Sequence, residues 1–194
     1  MTVSEEKRML RKKLKALEQS LPVDYRERSA RAIVAALLSM EAYQKAECVC
    51  CFVSTGPEID TYPLLRDALA HEKRLCVPLC MGRGVMDMRL ISSLDNLSPG
   101  LMGIPEPSAD APTVAPSEIS LLVTPCLAAD RSGRRLGRGG GYYDRFLTQY
   151  KGAVVLLCRE RLLQDCIPAD AHDIPVTPVL SERGFYDNGV FRDA

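Results

Sequence analysis

This 194-residue sequence lacks net charge, long apolar runs and all but two histidines, and each shortage excludes a class of function. Lys and Arg together number 25, as do Asp and Glu, so the basic excess of a general nucleic-acid binder is missing. Because His71 and His172 are the only histidines, a Ser-His-Asp or Cys-His catalytic group and a zinc site are poorly supported. No stretch reaches the ~18 apolar residues of a membrane span, and the N-terminus lacks the apolar core of a signal peptide. We therefore expect a cytoplasmic protein that binds neither nucleic acid nor membrane.

Cysteine, by contrast, is abundant, with eight residues in the chain. A cytoplasmic chain keeps such residues as thiols. Cys48 and Cys51 have C-x-x-C spacing, but they lie in the apolar run CVCCFV at 48–53, which is typical of a buried strand. Their side chains would then point to opposite faces of a sheet. Packing in the core is therefore favoured over metal binding or redox chemistry.

The apolar pattern predicts helices that alternate with short buried strands. Ser4 and Asp24 are the candidate N-caps of the first two helices, and later helices are predicted over 61–71 and 141–150. Strands are predicted at 48–53, 74–79, 86–91, 119–125 and 153–158. A long loop is expected over 92–117, where prolines are frequent. We therefore expect one α/β domain over residues 1–194, in three layers, with a mainly parallel sheet and helices on both faces.

The most informative segment is LLVTPCLAADRSGRRLGRGGGYYDRFL at 121–147, in which a buried strand runs into a loop and then into a helix. Ligands of open α/β sheets bind beyond the carboxyl ends of strands. The loop is rich in residues that suit oxyanions: Gly137, Gly139, Gly140, Gly141, Arg134, Arg135, Arg138 and Arg145. Tyr142 and Tyr143 add flat faces for an aromatic ligand, and Asp144 adds a carboxylate suited to Mg²⁺. The segment indicates a phosphate site, although it matches neither the P-loop nor G-x-G-x-x-G. A structural turn with its arginines in solvent is the alternative.

Two other segments are candidates to join that loop. Lys7 and Arg11 lie four residues apart on one helix face, where an anion would relieve their mutual repulsion. Ordinary solvated flanks of a leucine stripe would explain them as well. Glu58 follows a predicted strand, so its carboxylate is expected at the same edge of the sheet. Equally, Asp60 or Thr61 can simply cap the next helix.

The sequence resembles the 5-formyltetrahydrofolate cyclo-ligase family, also called 5,10-methenyltetrahydrofolate synthetases, over most of its length. Four segments in the family's order carry the resemblance: KRMLRKKL, GPEIDTYPLL, LMGIPEP and LVTPCLAADRSG followed by RRLGRGGGYYDRFL. It implies an enzyme that uses ATP and Mg²⁺ to close 5-formyltetrahydrofolate to 5,10-methenyltetrahydrofolate, releasing ADP and phosphate. We expect a monomer, although the sequence alone does not set the oligomeric state. Because the γ-phosphoryl group activates the formyl oxygen, the protein has to position ligands and neutralise charge rather than supply a covalent nucleophile.

The resemblance also implies which residues form the site. The nucleotide-binding positions correspond to Lys7, Arg8, Met9, Leu10, Arg11, Arg135, Leu136, Gly137, Arg138, Gly139, Gly140, Gly141, Tyr142 and Tyr143. The folate-binding positions correspond to Val53, Glu58, Met102, Arg138, Gly139, Gly140, Gly141 and Tyr142. The reacting groups are expected to meet Arg138, Tyr142 and Arg145, and Asp144 corresponds to a magnesium ligand.

Two positions depart from the family pattern. Gly140 stands where some members carry a lysine, so the cation near the γ-phosphate has to come from Arg138 or Arg145. Thr177 stands where some members have a second acidic metal ligand, which leaves Asp173 or water to complete the metal shell. These departures leave a non-catalytic folate- or nucleotide-binding relative as an alternative function. A nucleic-acid-binding module that uses the arginine loop is a third, which the zero net charge disfavours.

Overall fold

The computed structural model describes residues 1–82, 84–100 and 103–193, and its helices follow the apolar stripes of the sequence. The α-helices in these ranges are α1 (Val3–Ser20), α2 (Val23–Ser39), α3 (Glu41–Gln44), α4 (Tyr62–Ala70) and α5 (Tyr142–Leu147). Leu14 of α1 and Ile33 and Leu37 of α2 are completely buried. Each therefore marks the face that its helix turns to the core.

Short strands account for most of the remaining structure. The β-strands in the described ranges are β1 (Cys48–Cys51), β2 (Arg74–Gly82), β3 (Val85–Ile91), β4 (Leu97–Pro99), β5 (Pro105–Pro107), β6 (Thr113–Val114), β7 (Leu121–Thr124), β8 (Ala128–Asp130), β9 (Arg135–Leu136), β10 (Ala153–Leu157), β11 (Leu163–Gln164), β12 (Val179–Ser181), β13 (Gly184–Asp187) and β14 (Val190–Arg192). All residues of β1 and β7 are buried, as expected for strands covered on both faces.

One nine-stranded sheet organises the molecule, with the order β14-β13-β12-β10-β7-β1-β2-β3-β6. The five central strands, from β12 to β2, run parallel. Antiparallel pairs extend the sheet at both edges. The predicted mainly parallel sheet is therefore confirmed at the centre, and the antiparallel edges are an addition to it.

Helices cover both faces of this sheet. On one face, residues of α1 and α5 pack with Cys48 and Cys50 of β1. On the other, residues of α2, α3 and α4 pack with Val49 and Cys51. Neighbouring residues of a strand point to opposite faces, so the two cysteines of the C-x-x-C sequence are separated, as predicted. All eight cysteines are free thiols.

The structure corrects three local predictions. Thr2 caps α1 instead of Ser4, because the Thr2 hydroxyl accepts the Glu5 N–H at 3.3 Å and the Glu5 carboxylate accepts the Thr2 N–H at 2.8 Å. Ser4 consequently lies inside the first turn. Asp24 also lies inside the first turn of its helix, α2, instead of preceding it. The segment 92–117 is not wholly a loop, since its described part contains β4, β5 and β6.

Helix α1 should depend on Leu14 for its attachment to the sheet. Replacing this completely buried side chain by alanine leaves a cavity, and Leu14→Ala should lower the free energy of unfolding by about 2–5 kcal/mol. Equilibrium unfolding in urea measures this change. The exposed Lys13→Ala on the same helix is the control, and an equal loss in both variants would contradict the anchoring role of Leu14.

Candidate functional site

Helix α1 packs on one face of the sheet and reaches the edge where the central parallel strands end. Lys7, Arg11, Leu14 and Glu18 of α1 follow one another at helical spacing and share a face. Near the end of this face, Glu18 borders a cavity of about 10 Å³. The cavity is also lined by residues that directly follow β1, β7 and β10: Phe52, Pro125 and Cys158. The stripe on α1 therefore faces the carboxyl ends of these strands.

The two basic residues of this stripe contact later parts of the chain. Lys7 is buried, and its ammonium donates to Asp170 at 2.8 Å and to Asp173 at 2.5 Å. Burial acts to lower the pKa of Lys7, but the bonds to the two carboxylates outweigh it, and the pKa is raised. Arg11 donates from Nε to the carbonyl oxygen of Gly137 at 2.9 Å. Lys7 and Arg11 thus join α1 to the C-terminal segment and to the glycine-rich loop.

Arg159, which the sequence analysis did not single out, joins two of the loops at this edge. Only 2% of its surface is exposed. Its guanidinium donates to the carbonyl oxygens of Pro57 and Glu58 at 2.9 and 3.1 Å, and to the Ser29 hydroxyl at 3.0 Å. Burial lowers the pKa of Arg159. The arginine follows β10, which is separated from β1 by β7, so it holds the loop after β1 against the end of a strand two positions away in the sheet. Its place after a buried strand is the sequence signal that could have revealed it.

The predicted folate-binding acid and the predicted phosphate-binding arginine contact each other. Arg138 donates from Nη2 and Nε to Oε1 of Glu58 at 2.9 and 3.2 Å. Oε2 of Glu58 accepts the N–H and the hydroxyl of Thr55 at 2.7 and 3.2 Å. The Glu58 side chain is 15% exposed and that of Arg138 is 46% exposed. The carboxylate is therefore held in its turn by Thr55, whereas the guanidinium is the more exposed partner.

The glycine-rich loop presents its main chain beside this ion pair. Gly139 and Gly141 have φ angles of 105° and 66°, which side chains other than glycine rarely allow. In the described part of the chain, no acceptor pairs with the backbone N–H groups of residues 138–141. A Cβ atom at Gly140 would lie 2.6 Å from the ring of Tyr142. The loop is shaped by close contacts and offers free donors, which is an arrangement that suits an anion.

The other arginines of the loop have different surroundings. Arg135 is buried and donates to Asp144 at 2.7 Å and to the Ile174 carbonyl oxygen at 2.5 Å. Arg145 donates to the Gly84 carbonyl oxygen at 2.8 Å and also to that of Gly140. Arg134 is exposed. Two of the four guanidinium groups therefore hold the loop in place. Of the other two, Arg138 belongs to the segment 138–141 that carries the free N–H groups.

Asp144 is the candidate magnesium ligand, and its carboxylate is partly occupied. Oδ1 accepts from Arg135 and, at 3.3 Å, from the N–H of Ile174. Asp173 is bonded to Lys7, and the methyl group of Thr177 lies close to Gly133. Within the described ranges, no three His, Cys, Asp or Glu residues are grouped to hold a metal. Because Mg²⁺ usually binds one or two carboxylates together with phosphates and water, the donors fit a metal brought by a nucleotide.

The remaining predicted residues lie around these contacts. Val53 is buried after β1, and Leu136 is buried in β9. Tyr142 and Tyr143 are half-buried and pack against the core under α5. Leu10 packs on the same core, while Arg8 and Met9 are exposed on α1 and point away from the stripe of Lys7 and Arg11. Met102 lies outside the described residues.

Glu18 is the second residue that the sequence analysis missed. Only 3% of its surface is exposed, and no hydrogen bond or ion pair reaches its carboxylate within the described ranges. Burial raises its pKa, Glu58 adds to the rise, and Arg138 opposes it. A glutamate four residues after the buried leucine Leu14 was the available signal, since it places a carboxylate on the apolar face of α1.

The fold and these contacts define the class of the protein, an α/β protein with a candidate anion-binding loop beside an acidic pocket at the carboxyl edge of its sheet. A model described as the 5-formyltetrahydrofolate cyclo-ligase family matches residues 3–182. The chain belongs to the 5-formyltetrahydrofolate cyclo-ligase family, and the resemblance seen in the sequence is confirmed.

Individual relatives agree with this assignment. The chain is 31% identical to the 5-formyltetrahydrofolate cyclo-ligase of Mycolicibacterium smegmatis, over 91% of this chain and 94% of the relative. It is 32% identical to the mitochondrial 5-formyltetrahydrofolate cyclo-ligase of Arabidopsis thaliana, over 90% of this chain and 72% of the relative. The solved 5,10-methenyltetrahydrofolate synthetase of Aquifex aeolicus superposes with a TM-score of 0.84 at 30% identity, covering 97% of this chain and 95% of that chain.

None of the described helices is both long enough and apolar enough to cross a membrane.

The burial of Glu18 predicts a dependence of stability on pH. The pKa of Glu18 is higher in the folded chain than in the unfolded chain, so ionisation of this carboxyl lowers the free energy of unfolding. This loss is small at pH 4, where the carboxyl is mostly protonated in both states, and present at pH 7. Glu18→Gln should therefore raise the unfolding temperature by about 2–4 °C at pH 7 and change it little at pH 4. Thermal unfolding at both values measures this. A variant that is less stable than the native chain at pH 7 would contradict it.

Proposed function

We propose that this chain is an ATP-dependent 5-formyltetrahydrofolate cyclo-ligase, which closes 5-formyltetrahydrofolate to 5,10-methenyltetrahydrofolate and releases ADP and phosphate. Family membership supports the reaction. The observation that carries it in this chain is the pair formed by Glu58 and Arg138 beside the glycine-rich loop. There, an acceptor for a nitrogen-rich ring and donors for a phosphate lie within one hydrogen-bonded unit.

The chemistry explains why ATP is needed. The oxygen of a formamide is a poor leaving group. Transfer of the γ-phosphoryl group to this oxygen releases ADP and turns the oxygen into part of a phosphate. The neighbouring folate amine then attacks the formyl carbon and gives up its proton, and the carbon–oxygen bond breaks as phosphate leaves. The protein's contribution is to align the two ligands and to stabilise the charge that moves.

Arg138 and the glycine-rich loop are the groups that we assign to the phosphates. The unpaired N–H groups of 138–141 would donate to phosphate oxygens, and Arg138 would neutralise charge on the transferred group. Arg145 would act through the loop, because its guanidinium bonds the Gly140 carbonyl oxygen. Lys7 and Arg11 would keep α1 over the nucleotide, and Tyr142 would pack against the reacting folate.

Glu58 is the residue that we assign to the folate ring. A carboxylate accepts two hydrogen bonds from a ring edge that carries adjacent N–H donors, and the Thr55 bonds hold Glu58 in place for this. Val53, buried at the end of the same loop, would line the pocket. Asp144 would hold Mg²⁺, which supplies charge neutralisation for the phosphates when bound.

The wider assignments are part of the same proposal. We expect a monomer in the cytoplasm with no nucleic-acid partner, in line with the zero net charge. The alternative is a folate- or nucleotide-binding relative without turnover, for which the glycine at position 140 and the threonine at 177 are the motivation. A single measurement distinguishes the two functions.

That measurement is the near-ultraviolet absorbance of the methenyl product. Purified protein with Mg-ATP and 5-formyltetrahydrofolate should build up this absorbance, and omission of ATP should abolish the rise. Binding of ATP and folate without any rise in absorbance would favour the non-catalytic relative.

Arg138→Ala should lower kcat by at least about 100-fold, because it removes a cation from the developing charge of the transferred phosphoryl group. Its unfolding temperature should stay close to that of the native chain, since the side chain is half exposed. The matched control is Arg134→Ala, which removes an exposed arginine of the same loop. Equal rates for the two variants would overturn the role of Arg138.

Glu58→Gln should raise the KM for folate by roughly 10- to 100-fold, the size expected for loss of a charged hydrogen-bond acceptor. The KM for ATP should change less, because Glu58 is assigned to the ring and not to the phosphates. Steady-state kinetics with each substrate varied in turn distinguishes the two. Glu47→Gln, at the opposite end of β1, is the control, and an equal rise in both KM values would contradict the assignment.

A further inference from the structure

Glu18 is a buried carboxylate that none of the contacts described above uses. Its cavity has room for about one water molecule and is also lined by Glu58 and Arg159. Burial of an unpaired charge is unfavourable unless nearby charges compensate it. Either neighbouring charges compensate the carboxylate of Glu18, or Glu18 lowers the stability of the fold and serves a function instead.

The charges that face Glu18 come from four separate parts of the chain. Glu58 and Arg159 border the same cavity as Glu18, and the guanidinium of Arg138 is bonded to Oε1 of Glu58, so these groups form one cluster. Within it, Arg138 attracts the charge of Glu18 most strongly, Glu58 repels it, and Arg159 and Arg26 attract it more weakly. The guanidinium of Arg159 already donates to Ser29 and to carbonyl oxygens of the neighbouring loops. It is consequently fixed in place. Arg138 differs from Arg159, because nearly half of its side chain is exposed and Glu58 is its only side-chain partner among the described residues.

Under the proposed function, folate and Arg138 would compete for the same carboxylate. Oε1 of Glu58 accepts both bonds from Arg138, and Oε2 accepts the bonds from Thr55. A ring that donates hydrogen bonds to Glu58 would compete with the guanidinium for Oε1. Arg138 would then lose this partner at the step that requires it beside the phosphate.

We propose that Glu18 is a positioning residue, which holds Arg138 at the mouth of the site by charge after the folate has taken Glu58. This inference rests on the proposed function. The position of Glu18 on α1 supports it, since the face that carries it also carries Arg11, whose guanidinium contacts the loop of Arg138 at Gly137. The same helix thus fixes the loop with one residue and supplies the counter-charge for its arginine with another.

A lower rate of the Glu18→Gln variant would not be a consequence of misfolding. The carboxylate makes no hydrogen bond in the described ranges, and its ionised form costs stability, so Glu18→Gln should fold at least as well as the native chain. A role in structure alone would leave the rate of this variant unchanged or raised. A role in positioning would lower the rate while stability is kept.

The experiment compares four single variants with the native enzyme. Glu18→Gln should lower kcat by roughly 10- to 100-fold, the size expected when a catalytic group is misplaced, with the KM for folate changed by less than about threefold. Glu18→Asp keeps the charge and should recover part of the loss. Glu47→Gln, an exposed glutamate at the opposite edge of the sheet, should retain the native rate. Arg138→Ala provides the reference for the residue through which Glu18 is proposed to act.

The double variant Glu18→Gln with Arg138→Ala decides the question. If Glu18 acts through Arg138, the double variant should be no slower than Arg138→Ala alone, within about twofold. Losses that multiply would overturn the proposal, as would a Glu18→Gln enzyme with the native kcat. These results are distinct from a failure of the proposed function, which would appear as an absence of turnover in the native chain itself.

Discussion

The site depends on one packing contact, that of helix α1 against the sheet near the carboxyl ends of the central strands. Leu14 is completely buried in this contact, and the polar residues before and after it lie on the same face. Lys7 is thereby bonded to the C-terminal segment, and Arg11 to the glycine-rich loop. A helix from the start of the chain therefore determines the distance between two segments that lie more than 100 residues further along, which no local sequence preference could set.

Compensation of charge is the second constraint. The net charge of zero conceals a site in which nearly every cation has a partner of its own: Lys7 has two aspartates, Arg135 has Asp144, and Arg138 has Glu58. Such pairs keep the groups in place without ligand, but each ligand then has to displace or share a partner. The exposed Arg138–Glu58 pair is the least costly of them to separate, because charges near the surface are screened by solvent.

The sequence alone predicted those features of the fold and the site that depend on local pattern or on the family resemblance. The alternation of Cys48, Cys50 and Cys51 between the two faces of β1 follows from strand geometry. The cap of α1 was missed because Ser4 and Thr2 both suit an N-cap, and only the reciprocal bond with Glu5 selects Thr2. The outermost antiparallel strands were missed because strands as short as β6 and β14 have too few residues to show a period.

Long-range contacts account for the rest. No periodicity could pair Glu58 with Arg138, which stand 80 residues apart, or place Arg159 under the loop that carries Glu58. Their meeting depends on the strand order β10-β7-β1, which brings the ends of three separated strands together. Residue type and position after a strand predicted that these side chains lie at the carboxyl edge of the sheet. The strand order determined which of them contact each other.

The glycine at position 140 shows how local packing and the chemistry of the site are linked. In this chain a Cβ at Gly140 would meet the ring of Tyr142 at 2.6 Å, so a side chain at this position would require that ring to move. Arg145 also bonds the Gly140 carbonyl oxygen, which keeps the peptide in its orientation. The position thus serves the shape of the loop. Arg138 extends from the same loop with its side chain half exposed. Under the proposal above, the buried carboxylate of Glu18 on α1 is the counter-charge that holds this arginine at the site.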